Sequence, residues 1–313
     1  MPFKRDPQVF NTAIKETVIG QGDKALTLGG ESVFAFYSFD APIKNPPLVG
    51  VEISDKGPDI KIPGVAAFYE GTSSLAEAAA KACEMPGASF VCLSLESADP
   101  NGDDAAVEDC VGRCVEVADS VTLPLFIMGT GNVEKDSALL GKAAEALEGK
   151  NILFLSATED NYKGIAVGAA LAYGQKIGAE SAVDINLAKQ LNVLISQMGV
   201  SLDKVAMNVG TAAAGYGFEY IASCMERIKG AALTQNDDML QVPIVTPVAY
   251  DAWAVKESVV SEDDFPEWGP SEERGINIEI SSAVACLASG SNAVILKHPE
   301  SVKTVSKLIS ALM

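Results

Sequence analysis

Histidine is almost absent from this 313-residue chain, with His298 the only one. A single imidazole excludes any metal site built on two or more histidines. His298 stands beside Pro299 after an apolar stretch, where it reads as a residue that starts a helix or lies in a loop. Grouped cysteines are missing too. Cys83, Cys92, Cys110, Cys114, Cys224 and Cys286 include no CxxC pair, the local cluster on which zinc and iron–sulfur sites usually draw. Cys110 and Cys114 are four apart on a predicted helix and share a face. They read as two small buried hydrophobes, since free Cys packs in that way, and no metal is expected on this chain.

Positive charge is scarce: 23 Lys and Arg stand against 42 Asp and Glu, a net charge of -19. Such a surface repels polyanions, so nucleic acid and anionic membranes are not expected partners. Long hydrophobic runs are lacking as well. The longest apolar stretches, 91–95 and 166–172, fall far short of the roughly 20 residues that a membrane span needs. Lys4, Arg5 and Asp6 open a mixed N-terminus without the apolar run of a signal peptide, so a cytoplasmic location is expected.

What is present is a regular alternation. Apolar segments at 47–54, 90–95, 123–128, 151–156, 181–185, 205–209, 242–248 and 293–296 are short and nearly continuous. Strands of a parallel sheet buried on both faces have that pattern. Amphipathic stretches separate them: Leu139, Leu140, Ala143, Ala144 and Leu147 keep one helical face, as do Leu187, Leu191, Leu194, Ile195 and Met198, and Val302, Val305, Ile309 and Leu312. Eight strands and eight helices make an α/β fold, a (β/α)8 TIM barrel, with 47–313 as the barrel domain; an open doubly wound sheet is the alternative. Residues 1–46 do not fit the repeat. There 25–28 and 32–36 flank Gly29 and Gly30, which predicts a β-hairpin extension capping the barrel bottom.

Residues 248–274 form an unusually long insertion after the seventh strand, holding Trp253 and Trp268, the only tryptophans, with Tyr250, Phe265 and the acidic run 262–264. Loops of that length are usually functional, and aromatics with a charged rim suit a partner surface. A short helix packed on the rim with its Trp buried is the competing expectation.

Three stretches imitate nucleotide motifs. GTAAAGYG (210–217) has the two glycines of a P-loop, but Tyr216 stands where the phosphate-binding lysine belongs. GTGNVE (129–134) lacks the third glycine of a dinucleotide fingerprint, Glu134 taking its place. KHPE (297–300), after the eighth strand, lacks the glycine donors that commonly grip phosphate in barrels. Lys204 lies just before the sixth strand, so no lysine is expected inside the barrel to form a Schiff base. Polar residues at the strand ends are scattered: Asn132, Asp184, Asn186, Asn208, Thr211 and Tyr250 stand near the face where barrels place their sites. Each also suits a helix N-cap or a loop hydrogen bond.

FVCLSLESADP (90–100), MNVGT (207–211), PVAYDAWAVKE (247–257) and EWG (267–269) resemble the small, or delta, subunit of the corrinoid iron–sulfur protein of the acetyl-CoA decarbonylase/synthase system. The likeness runs along nearly the whole chain. It implies a modified TIM barrel paired with a large subunit that carries the [4Fe-4S] cluster and most of the corrinoid-binding domain. It further implies a methyl group taken from methyltetrahydrofolate through a separate methyltransferase and delivered to acetyl-CoA synthase/CO dehydrogenase in the reductive acetyl-CoA (Wood–Ljungdahl) pathway. On that resemblance the chain is a non-catalytic cap over a corrinoid (cobalamin) shared with the large subunit. Gly210, Ala212, Ala213, Ala214 and Gly215 would let a planar macrocycle approach the backbone, while Asn132, Asp184, Asn186, Asn208, Thr211, Tyr216 and Tyr250 would face it. Two rival expectations are a barrel methyltransferase acting directly on a methyl-pterin and a metal-independent aldolase or hydratase.

Overall fold

The computed structural model describes residues 6–313. Eight parallel strands form the barrel: β3 (Leu48–Ser54), β4 (Phe90–Ser94), β5 (Leu125–Met128), β6 (Leu153–Ala157), β7 (Lys176–Glu180), β8 (Val205–Asn208), β9 (Val245–Thr246) and β10 (Ala293–Leu296). Their order is β8-β7-β6-β5-β4-β3-β10-β9. Between the two ends, the Met207 amide donates to the Pro243 carbonyl at 2.7 Å and Met207 bridges Ile244, which closes the ring. Helices α1 (Pro63–Phe68), α2 (Leu75–Ala82), α3 (Val107–Ser120), α4 (Val133–Ala146), α5 (Tyr162–Ile165, continued as a π-helix), α6 (Ile185–Gln197) and α7 (Phe218–Thr234) follow in turn. After β9 come α8 (Val248–Ala252), α9 (Lys256–Val259) and α10 (Ser271–Ser289), and α11 (Pro299–Leu312) follows β10.

The TIM barrel expected from the alternation is what forms. Inside it, the Phe90 and Phe126 rings stack with centroids 4.0 Å apart. Gly50 makes room for them, because a Cβ there would lie 2.1 Å from the Phe90 ring. Cys110 and Cys114 are fully buried free thiols on α3, as their helical spacing suggested.

Two elements differ from the sequence expectation. The fifth strand is not 181–185 but Lys176–Glu180, whose charged ends and central Gly178 hide its burial. Asp184 instead caps α6, accepting from the amides of Asn186 and Leu187. Ala182 and Val183 lie between, at φ 35 and 60. The N-terminal hairpin pairs β1 (Thr17–Ile19) with β2 (Leu26–Leu28), while residues 32–36 form turns. Gly29 serves another purpose: at φ +82 it lets the chain pass the Lys15 carbonyl, which a Cβ would meet at 2.2 Å.

The hairpin plugs the barrel bottom, as expected. Ile19, Leu26 and Leu28 join Leu153, Ala206 and Ile295 in one buried cluster, and the Thr17 hydroxyl donates to the Val205 carbonyl at 3.1 Å. Beside it lies a buried polar clamp. Lys229 Nζ of α7 is 2.6 Å from Glu31 Oε1 and 2.9 Å from Asn292 Oδ1, and Asn292 Nδ2 donates to the same Glu31 oxygen at 2.9 Å. With the bottom sealed, open chemistry is left to the strands' C-terminal ends.

Candidate functional site at the barrel top

Glu52 and Lys297 meet inside the mouth at 3.4 Å, carried there by the neighbouring strands β3 and β10. Burial raises the pKa of Glu52, with Lys297 opposing. Burial pulls the Lys297 ammonium down, but the carboxylates of Glu52, Glu96 and Asp59 outweigh it, so its pKa ends above the ordinary value. The structure therefore does place a lysine in the mouth, contrary to expectation. A lysine held as ammonium is a poor Schiff-base nucleophile, which counts against the aldolase reading.

Across the mouth, burial raises the pKa of Glu180, the Asp136 carboxylate adds to this, and a hydrogen bond with Asn208 opposes it. Asp136, buried on α4, accepts from the Thr130 amide at 2.8 Å, the Thr130 hydroxyl at 3.0 Å and the Gly131 amide at 2.9 Å. Burial nonetheless pushes its pKa up. That wrapping explains the glycines at 129–131: a Cβ on Gly129 would lie 2.6 Å from the Asp136 carboxyl. Backbone strain gathers on the same side, with Ser156 at φ 74 and Val183 at φ 60, a β-branched residue in the left-handed region. Strained positions of this kind cluster at functional sites.

The sequence-selected residues fall into two groups. Asn132 caps α4 by accepting from the Lys135 amide at 3.0 Å, and Asp184 caps α6, with Asn186 exposed beside it. Those three serve helix starts. The others gather at β8 and β9: the buried Asn208 accepts from the Gly210 amide at 3.0 Å, and Gly210 sits at φ +84 against Ala182 and Val183. Thr211 follows, its hydroxyl hydrogen-bonded to the buried Cys286 thiol, while the buried hydroxyl of Ser181 has no partner. Gly215, at φ +92, faces open space. Ala213, by contrast, is 1% exposed and points into the protein. Tyr216 is exposed and its phenol donates to Glu257 Oε2 of α9, tying this loop to the insertion. Tyr250 is exposed on α8, and with Ile60, Val183, Tyr220 and Val259 these side chains ring the top with apolar surface.

The insertion itself is folded down. Trp253 is 9% exposed and stacks on His298 at 5.9 Å, leaving Trp268 and Phe265 stacked at 4.4 Å under the Lys256 ammonium. Sequence reasoning missed Glu52, Glu180, Asp136 and Lys297. A carboxylate amid the apolar run LVGVEIS was the available signal for Glu52.

His298 caps α11: its Nδ1 accepts from the Glu300 amide at 3.1 Å, and Nε2 lies 3.2 Å from Glu272 Oε1. Burial lowers its pKa, with Glu272 opposing. The unfolded chain therefore takes up the proton first, so the stabilising contribution is present above the ordinary value of about 6.5 and is lost as pH falls below it. His298→Asn keeps a capping acceptor without titrating. The expected result is that wild-type melting temperature drops relative to His298→Asn between about pH 7.5 and 5.5; a constant gap would refute the assignment.

Among the described residues no helix is long and apolar enough to cross a membrane, and no group of three or more His, Cys, Asp or Glu side chains is arranged to hold a metal ion. Residues 16–308 match the family described as CO dehydrogenase/acetyl-CoA synthase delta subunit. The acetyl-CoA decarbonylase/synthase complex subunit delta of Archaeoglobus fulgidus is 35% identical over 99% of this chain and 70% of its own length. Subunit delta 2 of Methanosarcina acetivorans is 34% identical over 94% of this chain and 67% of its own. Among solved structures, Yersinia pestis dihydropteroate synthase superposes with TM-score 0.58 at 14% identity, covering 85% of this chain and 93% of that one. The Vibrio fischeri enzyme gives 0.57 at 11%, covering 94% and 97%. At such identities the likeness is one of fold.

Proposed function

Because the chain belongs to the CO dehydrogenase/acetyl-CoA synthase delta subunit family, we propose that it is the covering subunit of a corrinoid methyl carrier, its barrel top closing over a corrinoid held mainly by a larger iron–sulfur partner. The observation that carries this reading is the contrast between the two barrel ends. The bottom is filled by β1 and β2, whereas the top presents Tyr216, Tyr220 and Tyr250 around a glycine- and alanine-rich loop. Exposed aromatics grouped in that way suit a docking face.

The residues present fit a flat, amide-fringed ligand. Gly215 leaves space above the loop, and the hydroxyl of Ser181 is buried without a partner, ready to bond a group brought by a ligand. When bound, the corrinoid supplies a cobalt that accepts and hands on a methyl group. This chain's own part is to exclude water and oxidant and to orient the ring. The chemistry is the corrinoid's on this reading: in the mouth, Lys297 is paired with Glu52 and Asp136 is bound by its own loop. The methyltetrahydrofolate methyltransferase and acetyl-CoA synthase/CO dehydrogenase are then the enzymes that dock in turn, and the cap must shift to admit them.

Sizing chromatography of native protein, with optical spectrum and iron assay, is expected to show this chain eluting with a larger chain that carries both corrinoid and iron. A stable homo-oligomer free of corrinoid would defeat the proposal. So would transfer of methyl from methyltetrahydrofolate to free cob(I)alamin by the isolated chain, which the methyl-pterin transferase reading requires.

A further inference from the structure

The mouth of β3, β4 and β10 holds a cavity of about 290 Å³ that the covering role leaves unexplained. Its wall carries carboxylates and ammoniums in equal number, Glu52, Asp59 and Glu96 against Lys56, Lys61 and Lys297. Lys56 is already held at 2.8 Å by Asp103, outside the cavity. The Glu52–Lys297 pair is looser. Its separation of 3.4 Å exceeds the roughly 2.7–2.9 Å of a tight charge-assisted hydrogen bond. Glu52 Oε2 is buried with no partner, and the three donors of Lys297 Nζ have Glu52 as their one ion-pair partner among the described residues. A buried acceptor left unpaired costs roughly 1–3 kcal/mol, more when it is charged. Acceptor and donors lie side by side, and the side chain of Lys297 keeps 18% of its surface open.

The surrounding charges narrow the chemistry of what could bind there. An anion drawn to Lys297 would also face Glu52, Glu96 and Asp59, whose pull on the ammonium outweighs the opposing effect of burial. A cation drawn to Glu52 would face Lys297. Either would give up hydration for one attractive contact and one repulsive one. A ligand that carries both charges meets both groups favourably. An α-amino acid sets its ammonium and its carboxylate one carbon apart, so its two ends can lie antiparallel to the Glu52–Lys297 pair, each against the opposite charge. Ile53, Pro58 and Val65 supply apolar wall for a short side chain.

We propose that this cavity binds a small zwitterionic α-amino acid, its ammonium donating to the Glu52 carboxylate and its carboxylate accepting from the Lys297 ammonium. Glu96 is exposed, lines the same cavity and strengthens the attraction for the ammonium. The site needs no corrinoid and stands apart from the covering role.

Calorimetric titration of the full chain at pH 7 with L-alanine, propionate and ethylamine tests it, because propionate lacks the ammonium of alanine and ethylamine lacks its carboxylate. Alanine is expected to bind at least about tenfold more tightly than either. Glu52→Gln and Lys297→Met should each weaken alanine binding about tenfold and bring it down to the level of the single-charge ligands. Each also leaves a former partner unpaired, so either variant could fail to fold. Glu96→Gln changes only an exposed side chain, should keep the parental melting temperature, and is expected to weaken alanine binding about threefold. The comparison of the three ligands on the unaltered chain stands whatever the variants do. Alanine bound no better than propionate or ethylamine would overturn the proposal, with propionate bound equally well making the cavity a plain anion site. So would parental alanine affinity in folded Glu52→Gln, Lys297→Met or Glu96→Gln, since the ligand would then lie elsewhere.

Discussion

Lys229→Ala is expected to destabilise the chain by roughly 3–5 kcal/mol, because it strands the Glu31 carboxylate inside the protein. Glu31 is 8% exposed and Lys229 4% exposed, so water cannot replace the lost partner. Glu31 Oε1 would keep the Asn292 amide, but Oε2 already has no partner. The lysine stem also lies over Gly290, where a Cβ would meet Lys229 Cγ at 2.7 Å, so truncation leaves a gap as well. Urea unfolding with an unchanged slope measures the loss. The pair Lys229→Met with Glu31→Gln, which removes both charges and keeps most of the volume, is expected to recover most of it. A loss under about 1 kcal/mol in Lys229→Ala would mean that water reaches Glu31 after all.

Enlarging Gly215 is expected to speed reoxidation of Co(I) in the assembled complex by about tenfold, the change that roughly 1.4 kcal/mol of lost shielding produces. Gly215 is the position of choice because nothing lies within 4 Å of a Cβ built there. Ala213, the other small residue that attracts attention in the sequence, is buried, and enlarging it would only overpack the interior. The φ of +92 at Gly215 means that Leu brings strain along with bulk. Asn tolerates left-handed backbone better and isolates the effect of size. Both variants should accelerate reoxidation, Leu more than Asn, with Asn keeping a near-parental melting temperature. If melting temperature falls and reoxidation does not change, the loop's small residues serve packing alone.

Much of the barrel was legible because its strands are apolar on both faces and its helices keep one apolar stripe. Where that signal broke, the reading slipped: β7 begins with Lys176 and ends with Glu180, and the neighbouring apolar residues at 181–185 took its place in the pattern. The partner of β2 was misread because Gly29 and Gly30 look like a hairpin turn, while their glycine is needed for close approach to Lys15 and Glu16. At the top, the loop after β8 announced itself through its glycines. Glu52 left one hint, a carboxylate inside an apolar strand, but nothing local reveals its pairing with Lys297, because β3 and β10 become neighbours only when the ring closes. Asn132 and Asp184 follow the helix-cap alternative that their positions before amphipathic stretches offer: polar residues there are caps first.

The covering role is tested most directly by mixing the isolated chain with its corrinoid-bearing partner and following Co(I) reoxidation under a fixed oxidant. Saturating amounts of this chain are expected to slow reoxidation by about tenfold or more, and Gly215→Leu to restore much of the lost rate. An identical rate with and without the chain, under conditions where the two subunits co-elute, would contradict it.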